Sequence, residues 1–355
     1  MVVLFSPFMA TSVMNQVHLI RRLIEEHDRV VLLKNYITLN DARNQNVDGL
    51  LWFKLALPEM LHECAYVYLM SRKPKAIYVT IEGVPLLSPH IDDNLKRLEI
   101  IANSKFTMEC LTSVGMCVID VAYHGIDYAL CSKIYKKKEM LKRTLHSKFK
   151  EKCILLVNAR NDPRKGLPFL LKALDIVNTT HRGKFKLILH TDNPPPEFQK
   201  REYVVILSKF GTLNYIDVLK LMASVDYLVF PSFCEGFGLP VLEANAVGTP
   251  AIHAWFPPLS EFSSKDFNFV FPYMERRLVK PQSGQYWVFH IYDPEHLAEM
   301  IKFAIDTYFE KREEYEEYCV KAYEHAKRWD YHITYMPLLR KLHIKPKKWE
   351  YEPTD

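Results

Sequence analysis

Hydrophobic positions along the chain follow two alternating rhythms. Short β-branched runs, "VVLF", "VVLLK", "AIYVTIEG", "LEIIANS" and "MCVIDVAY", are interleaved with longer stretches of helical period, "NQVHLIRRLIEEH" and "PEMLHECAYVYLM". Strand runs alternating with helical runs are the sequence form of βαβ units on a parallel sheet. A basic segment follows, and the alternation then starts again: "CILLVNAR", the helical "LPFLLKALDIVN", "KLILHT", "YVVILSKFG", the helical "YIDVLKLMASV", "YLVFPS" and "TPAIHAW". The pattern predicts two α/β domains of similar build, residues 1–150 and 151–330. From residue 294 the helical period is almost continuous and predicts closing helices. The aromatic-rich run 267–292 reads as core strands with a hairpin.

Composition narrows the class. A chain of 355 residues that is 48% hydrophobic is long enough for two cores. "MVVLFSPF" has no basic region before it and no small-residue cleavage site after it, so it does not read as a signal peptide. No apolar run approaches the roughly 18 residues of a membrane span. Seven cysteines without any Cys-x-x-Cys indicate neither a zinc site nor a disulfide framework, and a reducing cytoplasm is the expected location. The formal charge of +5 suits an anionic ligand or surface and does not call for nucleic acid. The charge is concentrated in "KIYKKKEMLKRTLHSKFKEK", residues 133–152. Its favoured reading is a solvated helix, its alternative a peripheral contact with an anionic membrane surface.

Candidate chemistry centres on "SFCEGFGLPVLEANAVGTPAI", residues 232–252, which holds three of the eleven glycines. An apolar strand ends at Pro231-Ser232, Pro240 stands where a helix starts, and Gly248 where it stops. Gly236 and Gly238 allow close approach of the backbone to a ligand, and the following helix aims free N–H groups at it, an arrangement suited to phosphate. Glu235 and Glu243 are unlikely partners of one another, since eight helical positions span about 12 Å. A carboxylate beside a phosphate is best used as an acceptor for neutral hydroxyls. Hydroxyls flank a diphosphate on both sides in nucleotide sugars, with the ribose at one end and the hexose at the other.

At these residues the chain resembles the retaining glycosyltransferases of family 4, whose signature is a glutamate, seven residues and a second glutamate. The resemblance runs from about residue 98 to 330. It implies GT-B architecture: two Rossmann-like domains facing a cleft, an acceptor-side amino-terminal domain, a donor-side carboxyl-terminal domain, and residues 331–355 packing back on the first. It assigns Glu235 to the transferred sugar, Glu243 to the ribose, and Gly236, Phe237, Gly238 and Leu239 to the surroundings of the sugar and phosphates. "ILLVNARNDPRKGLPFLLKAL" resembles the family's cation loop and maps the diphosphate-binding cations onto Arg160 and Lys165, with Arg164 a rival for the arginine. Arginine and lysine there would stabilise a departing diphosphate.

Three positions depart from the family pattern. Ala10-Thr11 stands where the family has a Gly-Gly loop under the diphosphate, Glu82 where it often has a histidine near the donor sugar, and "HTDNPPPEF" where it has a Gly-x-Gly turn. The expected reaction is hexosyl transfer from a nucleoside diphosphate sugar to an acceptor hydroxyl of a glycan, lipid or protein, with anomeric retention. No cofactor and no metal are expected, and no Asp-x-Asp occurs. Two alternatives are a nucleotide-sugar-binding subunit without turnover and a sugar-nucleotide epimerase. His124 reads equally as a site residue or a structural histidine, and Cys234 as a small filler.

Overall fold

In the computed structural model the described residues are 1–5, 11–87, 93–150, 152–208, 210–280 and 284–347. They divide into two compact units: Met1–Gly125 with Lys280–Tyr286 and Asp330–Asp355, and Ile126–Val279 with Trp287–Trp329.

The first unit is built on β1 (Val2–Phe5), β2 (Val31–Lys34), β3 (Gly49–Leu55), β4 (Lys75–Thr80), a short β5 (Gly83–Pro85), β6 (Ile100–Ala102) and β7 (Val118–Val121). Its six-stranded parallel sheet has the order β2-β1-β3-β4-β6-β7. Central strands are buried along their length, as in "VVLF" and most of "GLLWFKL", whereas the edge strands β2 and β7 are partly exposed. This is the distribution expected when both faces of a parallel sheet are covered. The strand β3 was absent from the sequence reading and is central in the sheet. Its continuous apolar run has no alternation to set it apart from a buried helix. Tyr331, Tyr335, Leu338, Leu339 and Leu342 enter the core of this unit beside Val2, Leu4, Phe53 and Tyr78. Tyr335 also donates its hydroxyl to Gln16.

The second unit carries β8 (Cys153–Asn158), β9 (Phe185–His190), β10 (Val204–Leu207), β11 (Tyr227–Phe230), β12 (Ala251–Ala254) and β13 (Phe269–Phe271), again parallel, in the order β10-β9-β8-β11-β12-β13. β14 (Glu275–Val279) and β15 (Gln285–Ile291) form an antiparallel hairpin, in line with the reading of 267–292. From β8 the chain winds outward through β9 and β10, then returns to the other side of β8 with β11. The carboxyl ends of β8 and β11 therefore flank the point where the winding reverses, the place at which open α/β sheets bind ligands.

Residues 126–150 pack with this second unit, against the 150/151 boundary drawn from the sequence. A buried ion network explains why. Asp226, fully buried at the start of β11, pairs with Lys142 Nζ at 2.7 Å, has His146 Nε2 3.2 Å away and accepts the Ile154 amide at 2.7 Å. Burial pushes this carboxyl up, but Lys142 and His146 outweigh it and hold it below the ordinary aspartate range. Lys142 donates to Tyr315 at 2.8 Å, and Lys138 donates to the Gly248 carbonyl. The basic run is thus not a uniformly solvated face. Lys138 and Lys142 are interior struts, while Lys133, Lys136, Lys137, Arg143, Lys148 and Lys150 remain exposed.

Candidate active site

Two loops meet at the reversal point of the second sheet. The first, 159–166, leaves β8. Asp162 accepts the Arg164 amide at 3.0 Å and starts a 3-10 turn over Pro163–Lys165, which ends at Gly166 with φ of +65°. A side chain at Gly166 would place its Cβ 2.0 Å from the Pro231 carbonyl oxygen, so only glycine lets the loops come this close. The helix Leu167–Thr180 follows, with Pro168 in its first turn. The second loop, 231–238, leaves β11 and ends at Gly238 with φ of +96°, the cap of the helix Leu239–Ala246. A Cβ at Gly238 would lie 2.2 Å from Leu259 Cδ2. The strand, glycine loop and helix expected from the sequence are present, with Pro240 one position further into the helix than expected.

The loops are bonded to each other. The Arg164 carbonyl accepts the Phe233 amide at 2.8 Å and lies 3.1 Å from the Ser232 hydroxyl oxygen. Tyr292 donates its hydroxyl to the Pro231 carbonyl at 2.6 Å. Their side chains converge on Glu235, which is 7% exposed. Lys165 Nζ and the Ser232 hydroxyl both donate to Glu235 Oε1, the latter at 2.6 Å. Arg164 Nη1 lies 3.6 Å from Oε2 and donates to the Cys234 carbonyl at 3.4 Å. Burial alone would raise the Glu235 pKa. Lys165, then Arg164, together with the hydrogen bonds from Lys165 and Ser232, reverse that and hold it below the ordinary glutamate range. Glu235 is therefore an anion at neutral pH.

Glu243 sits in a different environment. It is 6% exposed, on the helix that follows Gly238, and its partner is the Tyr215 hydroxyl on the helix Tyr215–Ser224. With no cation among the causes of its shift, burial pushes its carboxyl up to about 7 and the tyrosine hydrogen bond only partly offsets this. Glu235 and Glu243 thus differ in charge state near neutrality, which their identical residue type does not reveal.

Of the residues singled out in the sequence, Lys165, Glu235, Gly236, Phe237, Gly238, Leu239 and Glu243 fall on these two loops and the helix after them. The Phe237 ring is buried against Phe262, 4.9 Å between centroids, so its backbone is the part left to meet a ligand. Arg160 is exposed and makes no side-chain ion pair among the described residues; the arginine that joins Lys165 at Glu235 is its rival, Arg164. Glu82 lies in the first unit, where its carboxylate accepts from Gln285 Nε2 at 3.2 Å and its amide donates to Gln285 Oε1 at 3.3 Å. Ala10 lies outside the described residues, as does the side chain of Thr11, which begins the helix Thr11–Glu26. In place of a Gly-x-Gly turn after β9, Asp192 accepts the Asn161 amide at 2.8 Å and the Asn193 carbonyl accepts Asn161 Nδ2 at 2.7 Å. His124 is buried against the Tyr78 hydroxyl at 2.6 Å with its pKa lowered by burial to about 3, a neutral structural histidine. Cys234 is buried, in keeping with the filler reading.

Sequence reasoning missed Ser232, Tyr215 and Gln285. Ser232 had a local signal, a hydroxyl three residues before the carboxylate it serves. Tyr215 and Gln285 had none, being 28 and 203 positions from the glutamates they meet. Among the described residues no group of three or more metal-binding side chains occurs, and no helix is long and apolar enough to cross a membrane.

Comparison with known proteins agrees with this architecture. The family described as Glycosyl transferases group 1 matches residues 151–272, which contain both loops. An uncharacterized glycosyltransferase of Sulfolobus islandicus rod-shaped virus 1 is 26% identical over 333 residues, covering 93% of this chain and 97% of that protein. A glycosyltransferase from Rickettsia africae ESF-5 superposes with a TM-score of 0.70 at 16% identity, covering 96% of this chain and 97% of that one. Anabaena Alr3699/HepE, solved in complex with UDP-glucose, gives 0.65 at 18% identity over 97% and 99% of the two chains. The protein is a glycosyltransferase with the two-sheet α/β fold of GT-B enzymes. More particularly, the matched segment supports the group 1 glycosyltransferase family.

Proposed function

We propose that this enzyme moves a hexosyl unit from a nucleoside diphosphate sugar to an acceptor hydroxyl, with retention at the anomeric carbon and without a metal ion. The carrying observation is the cluster of Lys165, Arg164 and Ser232 on Glu235 beside the glycine-capped start of the helix Leu239–Ala246. Support for the donor class comes from the family match and from the UDP-glucose complex of the Anabaena protein.

Without donor, the two cations neutralise Glu235. A diphosphate entering beside the Gly238 turn competes for Lys165 and Arg164, since two cations at the positive end of a helix form a stronger site for a doubly charged group than for one carboxylate. Glu235 oxygens then become free to accept hydroxyls of the sugar, and Glu243, once ionised, those of the ribose. In the reaction the bond from the anomeric carbon to the diphosphate oxygen breaks. The acceptor oxygen bonds to that carbon on the same face, and its proton passes to the departing phosphate. Lys165 and Arg164 stabilise the growing negative charge, the part a divalent ion plays in other transferases.

The test is incubation with a panel of nucleotide sugars in the presence of EDTA, following nucleoside diphosphate release and the anomeric configuration of the product. Retained product with one preferred donor, abolished in Glu235→Ala, is the expected result. Turnover that stops with EDTA and returns with a divalent ion, or product of inverted configuration, overturns the reading. Conversion of the donor into another nucleotide sugar establishes the epimerase instead.

A further inference from the structure

A second cluster of cations lies at the opposite end of the same sheet. Lys152 immediately precedes β8, Lys186 is the second residue of β9, Arg182 lies in the turn before β9, and Lys200 lies between β9 and β10. These strands are six residues long or less, so their amino ends stand about 20 Å from the loops at their carboxyl ends. A phosphate held by Lys165 does not reach this face. All four cations line one groove of about 350 Å³, together with Asn178, Phe185 and Tyr203, which is within the size range of small-ligand sites.

The positive charge in the groove exceeds the negative among the described residues. Arg201, also on its wall, is neutralised by Asp175, to which it donates twice at 2.7 Å while Tyr203 adds a third bond at 2.6 Å. None of Lys152, Lys186, Arg182 and Lys200 has a carboxylate within ion-pair distance among the described residues, and the one acid on the wall, Glu202, is exposed. Lys152 and Lys186 are held in place by backbone carbonyls, Lys152 on that of Gly183 at 2.8 Å and Lys186 on that of Glu202. An ammonium has three donors, so each keeps donors for a ligand. Four like charges gathered around one groove repel one another, and a multiply charged anion relieves that repulsion where a single carboxylate would neutralise only one of them. A phosphate group has about two negative charges and three acceptor oxygens, matching the lysines as point charges and Arg182 as a fork.

We infer that this groove is a phosphate-binding site separate from the donor site, occupied by the phosphate of a soluble anion or of an anionic lipid headgroup. Inorganic pyrophosphate is titrated calorimetrically into Lys165→Ala protein, which disables the donor-side cluster, and into the same protein carrying Arg182→Glu and Lys200→Glu. Saturable binding in the first, weakened about tenfold or more in the second, is expected. In parallel, native protein and the Arg182→Glu/Lys200→Glu variant are sedimented with phosphatidylcholine vesicles with and without phosphatidylglycerol. Charge-dependent sedimentation lost in the variant assigns the headgroup as the source, and pyrophosphate binding without sedimentation assigns a soluble anion. Both substituted side chains are exposed, and circular dichroism checks folding; should the double variant misfold, Arg182→Glu alone is used. Absence of both pyrophosphate binding and sedimentation, or binding indifferent to the charge reversals, overturns the assignment.

Discussion

Replacing Glu243 by glutamine tests the electrostatics of the site most directly. The ordinary value for this carboxyl is 4.5, and in the folded protein burial raises it to about 7. Between those values the unfolded chain has lost the proton and the folded chain keeps it. The folded state therefore binds more protons, and stability falls as pH rises. The contribution is complete below 4.5, declines up to about 7, and is level above. At 1.36 kcal/mol for each pH step, the loss between about pH 5 and about pH 8 comes to roughly 2.5 kcal/mol. Glutamine keeps a hydrogen bond to Tyr215 without titrating. Urea unfolding of both proteins across this range should show the variant gaining on the wild type by roughly 2.5 kcal/mol from acid to alkaline pH. Taking the difference cancels other groups, including Glu235, whose lowered pKa adds stability that is present above 4.5 and lost only in acid. Parallel curves for the two proteins would refute the argument that burial controls this carboxyl. The proposed ribose contact adds a second readout, because a diol donates best to an ionised carboxylate. Donor affinity in the wild type should rise with pH through about 7, and Glu243→Gln should bind more weakly with that pH dependence removed.

Further outcomes follow from the same geometry. Lys165→Ala should lower kcat/KM by about a hundredfold or more, as loss of a preorganised charge on a leaving group does, while circular dichroism stays that of the wild type; unchanged turnover would exclude Lys165 from the reaction. Gly166→Ala should lower stability by about 1–3 kcal/mol, through the left-handed φ and the collision with the Pro231 carbonyl, measured as a drop in Tm. Lys142→Met leaves the buried Asp226 with His146 as its one remaining basic neighbour within ion-pair distance among the described residues and should cost about 3–5 kcal/mol, of which the double variant Lys142→Met/Asp226→Asn recovers a large part. If the double variant is no more stable than the single, the ion network does not hold the helix Lys138–His146.

The alternation of strands and helices was legible because buried parallel strands and amphipathic helices leave different periods in the chain. The glycine loop was legible because φ values of +65° and +96° demand glycine at Gly166 and Gly238. What stayed hidden depended on contacts between distant residues. "GLLWFKL" carries no period, so β3 was overlooked. Lys138 and Lys142 look like the other cations of 133–152, and only distant partners, the Gly248 carbonyl for the first and Asp226 for the second, turn them inward. That Arg164 stands beside Glu235 has the same origin: the loop's tight turn, started by Asp162, brings this arginine toward β11. Both glutamates stand out in the sequence, but the partners that make one an anion and leave the other near its titration point come from elsewhere in the chain.

Two bonds that tie one loop to the other, from the Phe233 amide to the Arg164 carbonyl and from Lys165 to Glu235, have a practical consequence for engineering this enzyme. A chimera that imports one of these loops from another transferase inherits half of a latch. The local fold is then transplantable only when the segments 159–166 and 231–238 travel as a matched set.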